Sequence, residues 1–218
     1  MNQGYGQAVS QPYMQQGDYP VQVLFPLLDT YNRFYAIPLI GYIAKMIMLI
    51  PYMIAMCVVG LVVSVLQLVA WIPVLTTGQY PEWNRNFAEG FIRYTKRASS
   101  FTYGLTDRYP SFSLQDEPGG TGDALINFPR QESYNKLYAV PVVGLLIKEV
   151  MLIPHLVILY VLGIVVSFLQ LFTWIPVLFT GQYPSWGHNM VGGYIRWLAR
   201  VMAFGLGLTD VYPPFSLS

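Results

Sequence analysis

Two long runs without charged residues constrain this 218-residue chain more than any other feature of its sequence. Residues 46–75 and 150–178 contain no Asp, Glu, Lys or Arg, and each run exceeds the roughly 20 apolar residues that a transmembrane helix needs. Only 11% of the whole chain is charged, against about 25% in soluble domains. The sequence therefore predicts an all-α integral membrane protein.

The two runs belong to a tandem duplication. Aligning residues 31–115 with residues 134–218 without a gap makes about 45 of 85 positions identical. The predicted organisation is a Gln/Tyr/Gly-rich tail at 1–20, a membrane repeat at 21–115, a linker at 116–123 and a second membrane repeat at 124–218. The tail has no Lys or Arg and too little apolar surface to fold alone.

Each repeat is predicted to contain an interfacial helix, a long apolar membrane helix, a T-G-Q-Y-P turn and an amphipathic helix. The segments 31–45 and 134–148 mix apolar and basic residues, which is typical of helices at a membrane surface. Pro51 and Pro154 hold equivalent places near the start of the apolar runs. Because proline is favoured in the first turn of a helix, we expect the membrane helices to begin there.

Two arrangements of the apolar run are open. Counted from the prolines, about 22 residues form a helix of roughly 33 Å, which spans a bilayer with little tilt. Trp71 and Trp174 then lie at the interface, where aromatic residues concentrate. The alternative is a re-entrant hairpin that turns near Gly60 and Gly163, with both ends on one face of the membrane.

The turn occurs as WIPVLTTGQYPEW from Trp71 and as WIPVLFTGQYPSW from Trp174. Gly78 and Gly181 provide a backbone position free of Cβ constraint. Gln79 and Gln182 are predicted to donate to carbonyls left open at the helix end. The turn thus predicts a helix-turn-helix corner, and Trp83 and Trp186 just beyond it are expected to face lipid.

The helix after the turn is amphipathic. In the first copy its six charged residues predict a helix that lies in the membrane interface. The second copy loses most of these charges but keeps Arg196 and Arg200, the equivalents of Arg93 and Arg97. A docking face for a partner and internal packing between the repeats are both open interpretations.

Two acidic residues close the repeats. Asp107 and Asp210 lie in the sequences GLTDRYP and GLTDVYP, where a carboxylate can cap a turn or pair with Arg97 or Arg200. A catalytic pair of carboxylates needs dissimilar environments, whereas these two have equivalent ones. We therefore interpret them as structural.

Other chemistry is not indicated. His155 and His188 have no Cys, Asp or Glu at metal-ligand spacing, and phosphate-binding or nucleophile motifs are absent from the sequence. Lys148 is expected to extend to the interface beside Glu149. A net charge of +1 gives no indication of nucleic-acid binding. These observations predict a non-enzyme without cofactor or metal.

Parts of the second repeat resemble a known protein family. The segment YIRWLARVMAFGLGLTDVYPPFSL from Tyr194, with IPHLVIL and TGQYPSW before it, resembles an uncharacterised family of small bacterial membrane proteins, a domain of unknown function. The first repeat departs from that pattern at Tyr94 and Ser111, where the second has Trp197 and Pro214. The resemblance implies residence in the bacterial cytoplasmic membrane and assigns no activity.

Charge distribution predicts a topology. Seven of the twelve Lys and Arg residues fall between Thr76 and Lys136, which favours a cytoplasmic location for the central segment and inverted repeats.

The sequence leaves two main function classes. The first is an accessory or scaffold subunit that contacts other membrane proteins through its aromatic-rich helices and its tail. The second is a membrane-shaping protein that acts on lipids, which a single-leaflet geometry would favour. A carrier of lipids or small molecules is a third, weaker alternative.

Overall fold

The chain folds into two helical repeats joined by a short β-ribbon. The computed structural model describes residues 19–37, 39–115, 125–140 and 142–218. The predicted linker and residues 1–18 of the predicted tail lie outside them. In chain order the elements are β1 (Gln22–Leu24), a 3-10 helix (Arg33–Ala36), α1 (Ile40–Thr77), α2 (Glu82–Thr102), β2 (Leu125–Asn127), α3 (Lys136–Ala139), α4 (Val143–Thr180) and α5 (Ser185–Gly205). The predicted tandem architecture is confirmed.

Helices α1 and α4 are longer than the sequence predicts. Each has 38 residues, or about 57 Å, and the predicted interfacial helices shrink to one turn. The prediction that Pro51 and Pro154 start these helices is wrong, because both prolines lie inside them. Leu49 and Tyr52, on either side of Pro51, are buried against α2, and this packing holds the helix together across the proline.

The helices also continue through Gly60 and Gly163, so of the two arrangements left open the re-entrant hairpin is wrong. Gly60 faces the ring of Phe91 on α2, and Gly163 faces the ring of Tyr194 on α5. A glycine here serves close helix packing rather than a turn. Both helices are long and apolar enough to cross a membrane, judged by length and composition.

The elements form three layers. The outer layer contains α1 and α4, and the middle layer contains α2 and α5, which also contact each other. The third layer is the antiparallel ribbon of β1 and β2, in which Val23 pairs with Ile126. The ribbon lies on the side of α5 away from α4, because Arg196 of α5 donates to the carbonyl of Val23 while Tyr194 faces Gly163.

The two long helices run in opposite directions. The ring of Tyr42, near the start of α1, contacts that of Trp174 near the end of α4. At the other end of the molecule, Gln67 of α1 and Lys148 of α4 both lie beside Gly207. The start of each long helix therefore lies beside the end of the other.

The outer surface of this layer is apolar. Large exposed hydrophobic side chains follow both helices along their whole length, among them Ile43, Ile50, Leu61 and Leu68 on α1 and Leu146, Ile153, Ile164 and Phe179 on α4. An apolar surface of this length on a single chain marks a contact with lipid or with another protein. We call it the outer face.

The start of α1 provides a test of the fold. A Cβ atom on Gly41 would lie 2.2 Å from the carbonyl oxygen of Tyr35, so Gly41→Ala forces backbone to move. We expect a loss of about 1–3 kcal/mol or more, read as a lower thermal midpoint in detergent. Gly60→Ala, in the same helix, meets only the movable Phe91 ring and serves as the control. Equal midpoints for the two variants would contradict the close approach.

Candidate functional site at the two repeat junctions

Each T-G-Q-Y-P turn packs against the opposite repeat. The carbonyl of Gly78 accepts the N–H of Tyr134 at 2.9 Å, and the carbonyl of Gly181 accepts the N–H of Tyr31 at 2.9 Å. Gly78 and Gly181 adopt φ values of 75° and 74°, the left-handed conformation that closes the helix end. The predicted corner is therefore confirmed, and it forms a junction between the repeats.

A tyrosine lies at the centre of each junction, half-buried at the first and buried at the second. At the first, the hydroxyl of Tyr80 lies 2.7 Å from the carbonyl oxygen of Leu206 and 3.0 Å from Gln67 Oε1. At the second, the hydroxyl of Tyr183 lies 3.1 Å from the carbonyl oxygen of Tyr103 and 2.9 Å from Gln170 Oε1. Burial raises the pKa of both phenols, which keeps them as donors.

Each junction also contains a Lys–Asp pair, with a buried ammonium and a partly exposed carboxylate. Lys148 Nζ lies 3.4 Å from Asp210 Oδ1, and Lys45 Nζ lies 3.7 Å from Asp107 Oδ1. The other carboxylate oxygen accepts the N–H of Asn135 at 2.6 Å or of Asn32 at 2.5 Å. The carboxylates thus fix the chain just before α3 and the 3-10 helix.

The lysines are enclosed by protein. Lys45 is 2% exposed and Lys148 is 6% exposed, and each ammonium lies 5.0 Å from the centres of two aromatic rings. The expectation that Lys148 extends to the interface beside Glu149 is therefore wrong. Of the two roles open for Asp107 and Asp210, pairing with arginines is wrong, because these lysines take that place.

The four predicted arginines contact the ribbon, the chain beside it or their own helix. Arg97 donates to the carbonyls of Ser113 and Gln115, and Arg196 donates to those of Val23 and Leu217. Arg200 lies under the ring of Tyr19 at 5.6 Å, and burial lowers the pKa of Arg196 and Arg200. Arg93 pairs with Glu89 at 3.1 Å.

These contacts correct the interpretation of the amphipathic helix. The polar side of α2 packs on the ribbon and on the segment after the helix, because Arg85 donates to the carbonyl of Phe128 and Arg97 to that of Gln115. Of the two interpretations left open for α5, internal packing accounts for most of its surface, because residues such as Val191, Ile195 and Ala199 are buried in the shared core.

Four other predicted residues lie at the surface. Trp83 and Trp186 are half exposed in the first turns of α2 and α5. Gln79 and Gln182 are exposed, and the hydroxyls of Thr77 and Thr180, rather than the Gln side chains, donate to the carbonyls of Pro73 and Pro176. The prediction that the glutamines close the helix ends is therefore wrong.

His155 is a packed residue of α4. It is fully buried, and its ring lies 3.9 Å from that of Phe215 in a stacked arrangement. Its Nδ1 accepts a hydrogen bond from Trp197 Nε1 at 3.0 Å. Because Nδ1 accepts a hydrogen bond and the ring stacks on that of Phe215, we assign His155 a structural role.

The first junction contains a pocket of about 340 Å³. It lies between the last turns of α1 and the first turns of α4. Its apolar wall includes Leu68, Trp71 and Leu145, and its polar lining includes Gln67 and Lys148. This combination of an apolar wall with a few convergent polar groups is typical of small-molecule sites.

Sequence reasoning missed the junction residues. Gln67 and Gln170 are polar residues at the same place in two apolar runs, and Lys45 and Lys148 likewise recur. That recurrence was the available signal, because a polar group within an apolar helix needs a partner. The partners lie in the other repeat or at the far end of the same repeat, where sequence spacing does not identify them.

Comparison with known families agrees with this architecture. Residues 41–113 and 143–216 each match the family described as a domain of unknown function, DUF4389. The chain belongs to this family and contains its domain twice. The predicted resemblance to an uncharacterised family, present as a tandem duplication, is confirmed. No curated protein and no solved structure matches the chain.

Removing one hydroxyl group at the first junction tests the hydrogen bonds that join the two repeats. Tyr80→Phe removes this donor from the carbonyl of Leu206 and from Gln67 Oε1, which keep Gln67 Nε2 and Asn84 Nδ2 as partners. The loss of an intramolecular hydrogen bond of this kind costs about 0.5–1.5 kcal/mol. We expect the thermal midpoint to fall by at least about 2 °C. The control is Tyr160→Phe on the outer face, where the ring is exposed. A Tyr80→Phe variant as stable as the control would contradict the role assigned to this hydroxyl.

Proposed function

We propose that this chain is a non-enzymatic, membrane-shaping protein whose two long helices lie in the plane of one leaflet. The observation that supports the proposal is the layer order, in which the apolar outer face and the β-ribbon of the third layer lie on opposite sides of one body. The membrane we propose is the bacterial cytoplasmic membrane, as the family resemblance implies.

The third layer is level with the middle of the long helices. Arg196, which donates to the ribbon at Val23, neighbours Tyr194 and Trp197, which contact Gly163 and His155 within α4. In the first repeat, the segment after α2 reaches the same level, since the hydroxyl of Tyr94 donates to the carbonyl of Phe112. A crossing orientation would bring both segments to the depth of the hydrocarbon core.

Hydrocarbon does not tolerate such segments. Open strand edges and irregular backbone cannot face lipid, because their N–H and C=O groups find no partner there. The exposed Asn127 on β2 would carry a further desolvation cost. An orientation parallel to the membrane leaves these groups in water and places only the outer face in lipid.

This geometry supports a wedge function. Two antiparallel helices of about 57 Å each displace lipid in one leaflet and leave the other leaflet unchanged. Helices that insert to the level of the acyl boundary bind in a curvature-sensitive manner. The protein would therefore generate or stabilise curved membrane without a catalytic site.

The proposal is tested by reconstitution into large liposomes imaged by electron cryomicroscopy. We expect the wild-type protein to produce tubules or small vesicles. The paired substitutions Leu61→Lys and Ile164→Lys, at equivalent exposed positions on the two long helices, should abolish remodelling by placing charge on the outer face. The control is Asn127→Lys on the third layer. Wild-type protein that inserts without changing liposome shape would contradict the function.

A second candidate function is the accessory or scaffold subunit. It is supported by Trp83, Phe87 and Trp186, which remain exposed at the starts of α2 and α5. The rest of these two helices is used mostly in internal packing, which makes this the weaker proposal. Purification from the native membrane in mild detergent tests it, and a partner at fixed stoichiometry that is lost in Trp83→Ala would favour it.

A further inference from the structure

We propose that the pocket at the first junction binds one uncharged lipid that carries a carbonyl group, such as a diacylglycerol. This inference rests on the proposed embedding of the outer face in lipid. The volume of about 340 Å³ falls at the lower end of the roughly 300–1,000 Å³ of ligand sites. It suits the polar end of a lipid and the first part of one chain.

The mouth of the pocket opens on the outer face. Leu68 and Val142, which line it, are 70% and 69% exposed. Leu145, also in its lining, is half exposed, whereas Ala70 and Val74 are buried behind it. A ligand therefore enters sideways from the acyl-chain region, past an apolar rim that repels water-soluble molecules.

The polar lining of the pocket favours a ligand that carries a hydrogen-bond acceptor. Gln67 Nε2 donates to the carbonyl of Leu206, and its Oε1 lies within hydrogen-bond distance of both the Tyr80 hydroxyl and Asn84 Nδ2. Lys148 carries three N–H donors, and among the residues that the structure describes it has two oxygen partners, Asp210 Oδ1 and the carbonyl of Phe204. The third N–H of Lys148 is the donor that a lipid carbonyl would take.

Charge selects for a neutral lipid. The ammonium of Lys148 is already paired with the carboxylate of Asp210, so the buried pair has no net charge. A fatty acid carboxylate or a phosphate would add an unpaired charge to a largely apolar site, which is costly. An ester or ketone oxygen accepts the hydrogen bond without that cost.

The two junctions differ in the size of their side chains. Five positions that line the pocket carry a smaller residue than their equivalents at the second junction. The pairs are Ala70 and Thr173, Val140 and Ile37, Val142 and Leu39, Leu145 and Tyr42, and Gly205 and Thr102. Since the change has the same direction at all five positions, space at the first junction is a specific feature of this site.

One of these pairs supplies the test. At the second junction the ring of Tyr42 packs on Trp174, so Leu145→Tyr should place a ring against Trp71 and fill the pocket. The purified full-length chain is titrated with dioleoylglycerol and, separately, with oleate, and bound lipid is counted by native mass spectrometry. The control is Tyr42→Leu, which leaves the first pocket intact.

We expect one dioleoylglycerol per wild-type chain, weaker binding of oleate, and an affinity for dioleoylglycerol at least about tenfold lower in Leu145→Tyr. The control should retain the wild-type affinity at the first site. Equal binding of dioleoylglycerol by wild type and Leu145→Tyr would overturn the site, and tighter binding of oleate would overturn the neutral-lipid assignment.

Two measurements keep the test decisive. If Leu145→Tyr unfolds, Ala70→Thr replaces it in the titration and is expected to lose the same affinity for dioleoylglycerol. The second junction has a threonine at the equivalent position. Liposome flotation of each variant measures insertion independently of the pocket. A variant that floats normally but lacks lipid supports the site, whereas a wild-type chain that does not float would overturn the membrane embedding on which the proposal rests.

Discussion

The end of each long helix is closed by the opposite repeat, and the rest of the fold depends on this exchange. Gly78 and Gly181 offer their carbonyls to Tyr134 and Tyr31, which begin the other repeat's helical part. A polar turn at the end of a long apolar helix needs partners for its open carbonyls. Because each repeat supplies those partners to the other, the two repeats fold as one body with antiparallel long helices.

The same exchange determines where polar groups are buried. The Lys–Asp pairs lie at the two junctions, with aromatic rings around each ammonium. The arginines of α2 and α5 face the other way, toward the ribbon and the segments that follow each helix. This separation leaves the outer face apolar along its whole length. The proposed single-leaflet orientation and the proposed lipid pocket both follow from that asymmetry.

Local features of the fold were predictable from sequence. The repeat, the long apolar helices and the corner at Gly78 and Gly181 depend on patterns within a few turns of chain, and the structure confirms them. The course of the helix through Pro51 was not predictable, because tertiary packing of Leu49 and Tyr52 against α2 outweighs the local preference of proline.

The junction site was only partly predictable. Asp107 and Asp210 were identified as structural residues, but the partners considered for them were a nearby turn or arginines one helix length away. The lysines that pair with them lie 62 residues earlier in the chain, and only the packing of α1 on α2 and of α4 on α5 brings them together. The charges of α2 predicted a helix in the membrane interface, and its polar side is covered in the structure by its own following segment and by the ribbon.

The orientation of the long helices is the central claim, and labelling at two equivalent positions tests it most directly. Arg33 and Lys136 are both exposed and lie at opposite ends of α1. Each is changed to cysteine in a Cys57→Ala background and treated with a membrane-impermeant maleimide in sealed vesicles of known sidedness. Helices in the plane of one leaflet predict that both cysteines react from the same side. Reaction of the two from opposite sides would show that α1 crosses the bilayer and would contradict the account.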